Sequence, residues 1–291
     1  MAAGQLRLIK RRIRSIQNTA KITRAMELVA ASKMRRAQLN AVAARPYAER
    51  MQWVLADLAE TLGQYEPEDL HPLLRERAEV KTIEVIFITP TRGLCGGLPG
   101  NLNRRMGQFT VEHGKEQRTV AVGRKGRDFM RRSGQNVVAE FLELGDYPTY
   151  EHVQPIARVA IDDFLNGDAD EVYIAYAKFV NMVTQAPAVE RILPIVAEAD
   201  TATEGVDYIY EPGREAVLAE LLPRIVGRAI YAAVLEAAAS EQSARMVAMR
   251  NASDNANELM TDLTLVYNKA RQESITSELL DIVGGVEALA G

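Results

Sequence analysis

The chain has 291 residues, of which 47% are hydrophobic and 25% charged, with a formal net charge of −4 at pH 7. This length can hold two domains and bury a sizeable core. No run of eighteen apolar residues occurs, which excludes a membrane-spanning helix. The single cysteine, Cys95, excludes an internal disulfide and indicates a reducing compartment.

The first predicted element is a long helix from about Gln5 to about Leu62, which Gly63 and Pro67 end. Its apolar residues recur at steps of three and four, a spacing typical of coiled coils. The members of this stripe are Leu6, Ile9, Ile13, Ile16, Ala20, Ala30, Met34, Ala37 and Ala41. Pro46 is expected to kink the helix or to leave one hydrogen bond unmade.

Two further features of this helix concern its partners. A second apolar stripe, formed by Ile22, Met26 and Val29, predicts contacts beyond the coiled-coil mate. Residues 1–50 contain twelve Lys or Arg and two Glu, a net charge of +10, so the remainder carries −14. Such an arm favours nucleic acid, an anionic membrane surface or acidic protein loops as partner, against the alternative of a solvated face. The start lacks the apolar core of a secretory signal, and its basic residues continue into the helix rather than indicating a transit peptide.

Residues 81–195 alternate short β-branched runs with helical segments, which predicts a small α/β domain with a largely parallel sheet. The predicted strands are Thr82–Thr89, Thr119–Val122, Val137–Leu142, Val172–Phe179 and Val189–Ile195. The predicted helices lie near Leu98–Glu112, Arg127–Arg132 and Val153–Leu165. Only residues 180–188 separate the last two strands, too few for a parallel crossover, so these strands should form an antiparallel hairpin.

The last predicted element is a helix that begins at or before Pro223. From Arg224 to Val283 the chain contains no proline and one glycine, and an unbroken helix of this length would span about 90 Å. Its apolar stripe comprises Met249, Ala252, Ala256, Leu259, Leu263, Val266 and Ala270. Stripes at opposite ends of one chain can bury each other only as an antiparallel pair. The sequence therefore predicts a terminal coiled coil (residues 1–62 and 206–291) and a central Rossmann-like α/β domain (63–205).

Candidate chemistry is sparse. Gly93-Leu94-Cys95-Gly96-Gly97 follows a strand and precedes a helix, where phosphate-binding loops occur. It lacks both the Gly-Lys-Ser/Thr of a P-loop and the G-x-G-x-x-G spacing, so a tight turn that needs a positive φ is the favoured interpretation. His71, His113 and His152 form no pattern around Cys95. We therefore expect no catalytic residue, cofactor or metal in this chain.

A polar band, Asn268–Gln272 with Ile275–Glu278, interrupts the C-terminal helix before the apolar stripe resumes. That stripe comprises Ile275, Leu279, Ile282, Val286 and Leu289. The pattern permits two interpretations, a solvated turn of helix or a tip gripped by a partner.

At these residues the sequence resembles the gamma subunit of rotary F-type ATP synthases, of the bacterial type. The resemblance rests on Ile13–Met34, on Ser253–Ala256, on Leu263–Gln272, on Ile275-Thr276 with Glu278, Asp281 and Gly285, and on the glycine turn. Two positions depart from the family pattern: Val286 stands in place of an alanine and Thr91 in place of an aspartate. The paired-cysteine insert of chloroplast versions is absent.

The resemblance implies a non-catalytic central-stalk subunit that couples ion flow through the c-ring to ATP synthesis or hydrolysis at a hexamer of alpha and beta subunits. It implies the epsilon subunit and the c-ring as partners at the α/β foot domain. It also implies a peripheral position on the cytoplasmic face of the bacterial plasma membrane, with membrane association only through the c-ring. The implied contacts with beta subunits are Met26, Lys33, Arg36, Arg271 and Gln272. The implied tip residues within the hexamer collar are Ile275, Thr276, Glu278, Leu279, Ile282 and Val286.

Two other functions fit parts of the pattern. A nucleic-acid-binding coiled-coil protein would also combine a basic arm with an acidic remainder. It predicts aromatic residues for base stacking, yet residues 1–46 contain no Phe, Tyr or Trp. A Rossmann-type nucleotide enzyme is disfavoured because the glycine fingerprint is missing. We therefore expect no nucleic-acid partner.

Overall fold

The computed structural model describes residues 2–62, 70–195, 211 and 213–290. The chain divides into two compact units. One comprises Met1–Ala30 with Met246–Gly291, and the other comprises Ala31–Arg245.

The larger unit is built around a five-stranded sheet with the strand order β3-β2-β1-β4-β5. Its strands are β1 (Thr82–Ile88), β2 (Glu116–Val122), β3 (Asn136–Phe141), β4 (Glu171–Phe179) and β5 (Gln185–Leu193). Strands β1 to β4 pair in parallel, and β5 pairs antiparallel with β4. This topology confirms the predicted mixed α/β class and the closing hairpin.

Three helices connect the strands, and two long helices occupy the chain ends. These are α1 (Ala2–Leu62), α2 (Leu98–His113), α3 (Arg124–Arg132), α4 (Tyr150–Asn166) and α5 (Arg214–Ala290), with a short 3-10 helix at Pro72–Leu74. The helix α1 continues past Pro46, and α5 begins nine residues before Pro223. Strand β5 begins four residues earlier than predicted, because the edge of a sheet tolerates Pro187 and its weakly β-forming neighbours.

Two apolar clusters cover the two faces of the sheet, since successive side chains of β1 point to opposite sides. Ile86 and Ile88 face α4 and the first half of α5. Val226 and Ile230 of α5 belong to the same cluster. Ile83, Val85 and Phe87 face the other cluster, which α2 and α3 complete with Leu98, Leu102, Met106, Phe109 and Met130. The sheet is therefore the middle layer of three, as continuous apolar parallel strands indicate.

The smaller unit is a pair of helical segments. Arg250 Nε donates a hydrogen bond of 2.9 Å to Glu27 Oε1, which joins the end of the first segment to the start of the second. Because both segments belong to one compact unit, they must run antiparallel. In that register Ala2 lies opposite residue 275, so α5 extends beyond α1 by about four turns.

The side chains that this pairing covers correct the predicted stripe of α5. On α1 the predicted residues Leu6, Ile9, Ile13, Ile16 and Ala20 are each less exposed than their neighbours. On α5 the covered positions are Met249, Ser253, Ala256, Met260, Leu263, Tyr267, Ala270 and Ser274. The predicted Leu259 and Val266 are 48% and 49% exposed. This stripe, with steps of four then three, passes through two serines and a tyrosine, which a count of apolar residues overlooks.

Candidate partner-binding surfaces

The second stripe of α1 presents apolar side chains to solvent. Ile22 and Val29 are 60% and 54% exposed, and Met26 is half-buried. Between them, Thr23 Oγ1 donates to the carbonyl oxygens of Thr19 and Ala20, so this buried hydroxyl is satisfied within the helix. Exposed apolar side chains grouped on one face are typical of a surface that a partner covers.

The basic side chains Lys33 and Arg36 contact a loop of the larger unit, called the α/β unit from here on. This loop comprises residues 142–148, between β3 and α4. Lys33 Nζ donates a hydrogen bond of 2.8 Å to Asp146 Oδ2. The Arg36 guanidinium carbon lies 4.5 Å from the centre of the Tyr147 ring, a cation–π contact. Both contacts connect residues more than a hundred positions apart, and the sequence gives no signal of either.

Arg271 and Gln272 are exposed on α5, and so is every described side chain from Ile275 to Val286. Leu279, Leu280, Ile282, Val283 and Val286 are each between 58% and 66% exposed. These apolar residues lie on one broad arc of α5, and Ser277, Glu278 and Asp281 lie on the opposite side. An exposed apolar arc of this kind is typical of a helix face that a partner covers.

The glycine turn has the geometry of a tight structural turn. Leu94 and Gly96 have φ values of +65° and +59°, the left-handed region that glycine adopts readily. Cys95 is buried, and burial together with the Glu241 carboxylate raises the pKa of its thiol, so the thiol remains protonated at neutral pH. Arg245 donates to the Gly93 carbonyl oxygen at 3.3 Å. Neither a nucleophile nor a phosphate cradle results from this arrangement.

A cavity of about 360 Å³ lies at the carboxyl ends of β1, β2 and β3. Its lining includes Arg92, Arg124, Glu143, Asp146 and Gln242. Ligands of parallel α/β sheets bind at this edge. The neighbouring N-terminus of α3 is, however, already capped, because the Gly126 N–H donates to Thr89 Oγ1 and the Lys125 N–H donates to the Pro90 carbonyl oxygen.

A buried polar cluster, which the sequence analysis missed, lies under α4. Glu84 is fully buried in β1, and its β2 neighbour Arg118 donates a hydrogen bond of 2.7 Å to Asp163 Oδ2. Burial, followed by the Asp163 carboxylate, raises the pKa of Glu84 to about 9. Burial would also raise the pKa of Asp163, but the neighbouring Glu84 carboxyl and the hydrogen bond from Arg118 lower it. Glu84 therefore carries the proton at neutral pH. A lone Glu within the apolar run Thr82–Ile88 is the signal that reveals this cluster.

Within the described residues, no group of three or more His, Cys, Asp or Glu side chains is placed to hold a metal ion. None of the helices described is both long and apolar enough to cross a membrane.

Comparison with known proteins identifies the family. A family model described as ATP synthase matches residues 5–289. The ATP synthase gamma chain of Dehalococcoides mccartyi strain BAV1 is 57% identical over 287 residues, covering 99% of this chain and 100% of the relative. That of Roseiflexus castenholzii is 52% identical over 287 residues, covering 98% of both.

Solved structures agree on the fold. A chain of the Euglena gracilis mitochondrial ATP synthase (OSCP/F1/c-ring, rotational state 3) superposes with a TM-score of 0.67 at 20% identity, covering 99% of this chain and 95% of that one. A chain of the Tetrahymena thermophila mitochondrial ATP synthase central stalk and c-ring gives a TM-score of 0.63 at 22% identity, covering 80% and 99%. The extent and identity of the sequence matches establish that this chain belongs to the gamma chain family of ATP synthases.

Proposed function

We propose that this chain is the central-stalk subunit of a rotary ATP synthase, where it rotates within the alpha/beta hexamer and performs no catalysis itself. The observation that carries this proposal is the free end of α5. Its apolar side chains between Ile275 and Val286 are exposed, and α1 does not reach them. An exposed apolar arc on a helix end that α1 leaves uncovered suits a tip enclosed by an apolar collar of the hexamer.

The proposed contacts with beta subunits are Met26, Lys33 and Arg36 on α1, and Arg271 and Gln272 on α5. The exposed stripe around Met26 supplies apolar area, and the two cations suit an acidic loop. The proposed tip residues are Ile275, Thr276, Glu278, Leu279, Ile282 and Val286. Exposed charged contacts of this kind contribute about 1 kcal/mol or less each, which permits a surface to slide past successive partners.

The three predicted segments receive two roles in this proposal. The terminal segments, predicted as 1–62 and 206–291, supply the rotating coiled coil, and the central segment, predicted as 63–205, supplies the foot domain that binds the epsilon subunit and the c-ring. Residues 63–69, 196–210 and 212 of these segments lie outside the described residues. Ion flow turns the ring, the ring turns this chain, and the coil drives the three catalytic sites through different conformations. The chain then lies at the cytoplasmic face of a bacterial plasma membrane, attached only through the c-ring.

Purification of the tagged chain from its native membranes tests the proposal. One copy of the chain should be recovered for every three ATPase catalytic subunits, together with the epsilon subunit and the c-ring. A reconstituted complex with a probe attached to the foot domain should also rotate when ATP is supplied. Recovery of the chain without ATPase subunits, or with nucleic acid instead, would contradict the proposed role.

A further inference from the structure

The two cations that the proposed function assigns to the beta contact differ in their surroundings. Lys33 is largely covered, with 23% of its side chain exposed, and its ammonium is paired with Asp146. Burial would raise the pKa of the Asp146 carboxyl, but the larger effect of the Lys33 hydrogen bond lowers it. Arg36 is exposed, and it donates no hydrogen bond to any residue that the structure describes. The charge of Lys33 is thus compensated within the chain, whereas no carboxylate among the described residues pairs with Arg36.

The contact with Tyr147 leaves the donors of Arg36 free. The ring covers one face of the guanidinium, whose N–H groups point outward in its own plane. Stacking of this kind fixes the orientation of a long side chain and removes part of the entropy cost of a later contact. An Arg held by its face is therefore prepared to bind a carboxylate with two parallel hydrogen bonds.

The loop that carries Asp146 and Tyr147 is itself held in place. At its start, the Thr91 hydroxyl donates a hydrogen bond of 3.0 Å to the Leu142 carbonyl oxygen. At its end, Pro148 is buried and Thr149 caps α4 through a reciprocal pair of hydrogen bonds with His152. The loop therefore presents its two side chains from anchored ends.

We infer that Asp146 and Tyr147 are positioning residues: Asp146 fixes Lys33 as an internal anchor, and Tyr147 orients Arg36 to bind a carboxylate of a beta subunit. This inference rests on the proposed function and narrows its charged beta contact on α1 from Lys33 and Arg36 to Arg36 alone, because the two cations then have different roles. Arg36 binds the partner, and Lys33 holds α1 against the loop that aims Arg36.

A double-mutant cycle in the complex tests this division. The full chain is titrated against the alpha/beta hexamer at low and high salt, as wild type, Arg36→Ala, Tyr147→Leu and the double variant. Arg36→Ala should weaken binding about five-fold at low salt, equivalent to about 1 kcal/mol, and reduce its salt dependence. Tyr147→Leu should reproduce most of that loss but add nothing to Arg36→Ala. Tyr147→Phe, which retains the ring, should bind as the wild type does.

Lys33→Ala and Asp146→Asn provide the second arm. Each should lower the temperature at which the α/β unit unfolds, and the pair should not be additive, while the salt dependence of binding remains that of the wild type. The inference would be overturned if Tyr147→Leu weakened binding equally in the wild type and in Arg36→Ala. It would also be overturned if Lys33→Ala reduced the salt dependence of binding. An Arg36→Ala chain that assembles and rotates with unchanged affinity would overturn it too, but would leave the central-stalk role intact. Failure of the wild-type chain to assemble would instead refute the proposed function.

Discussion

Glu27 and Arg250 form an ion pair across the coiled coil, with 2.9 Å between Arg250 Nε and Glu27 Oε1. Arg24 Nη1 donates a second hydrogen bond of 2.6 Å to the same carboxylate, which is 4% exposed. A buried carboxylate is stable only where the opposite helix supplies its charged hydrogen-bond donor. The Glu27–Arg250 pair therefore selects one register of the two helices. Apolar side chains repeated every heptad would accept several registers.

We predict that Arg250→Ala destabilises the coil by about 1–2 kcal/mol. This is less than the roughly 3–5 kcal/mol of a pair in a deep core, because two helices alone leave water nearby. Hydrogen exchange of residues 4–30 and 246–270 measures the effect. Arg11→Ala, which removes an exposed cation from α1, is the matched control and should leave the exchange rates unchanged.

The same pair predicts a pH dependence. Burial alone would raise the pKa of Glu27, but hydrogen bonds from Arg250 and Arg24 outweigh it and lower the pKa. A carboxyl whose pKa is lower in the folded state stabilises that state above its unfolded pKa of 4.5. The coil should therefore lose stability as the pH falls below about 4.5, and Glu27→Gln should lose this dependence. Equal acid sensitivity in both proteins would contradict the assignment.

The buried carboxyl of Glu84 predicts the opposite dependence. Its folded pKa of about 9 lies above its unfolded value of 4.5, so the folded chain holds a proton that the unfolded chain releases. Stability should fall as the pH rises from about 5 to about 9. Glu84→Gln keeps the shape and can donate to Asp163, so it should be more stable than the wild type at pH 8.5 by at least about 1 kcal/mol.

Urea denaturation at pH 5 and pH 8.5 measures this difference. Glu79→Gln, which changes an exposed carboxylate on the same unit, should show the wild-type dependence. A parallel loss of stability in wild type and Glu84→Gln would mean that Glu84 is ionised in the folded state.

These pairs mark the limit of sequence-based prediction here. Period and composition were enough to predict the long helices, the parallel strands and the hairpin, since each depends on neighbours along the chain. Contacts such as that of Lys33 with Asp146 depend instead on how separate elements pack. No pattern of residues adjacent in the sequence predicts them. The α5 stripe shows an intermediate case. Ser253 and Tyr267 are covered while Leu259 and Val266 are exposed, because steric fit between two helices matters as much as hydrophobicity.

We predict that the glycine turn binds no nucleotide. The Leu98 N–H that follows the turn is already bonded to the Cys95 carbonyl oxygen, and the turn contains no P-loop lysine. Equilibrium dialysis of the full chain with ATP, ADP and NAD should detect no site. Micromolar binding that Gly96→Val abolishes in a chain with unchanged circular dichroism would show that the turn does bind.

The last prediction concerns the free end of α5, where Ile282 is 63% exposed. Ile282→Asp should leave the free energy of unfolding of the isolated chain within about 0.5 kcal/mol of wild type, because this side chain contributes little buried area there. The isolated variant should aggregate less, since an apolar surface without its partner associates with itself. In the reconstituted complex the same carboxylate would be placed inside an apolar collar, so ATP-driven ion pumping should fall.

Val111→Asp, at an 82% exposed position on α2, is the matched control and should reduce neither pumping nor stability. Pumping by Ile282→Asp at the wild-type rate would show that the tip is not enclosed by the hexamer.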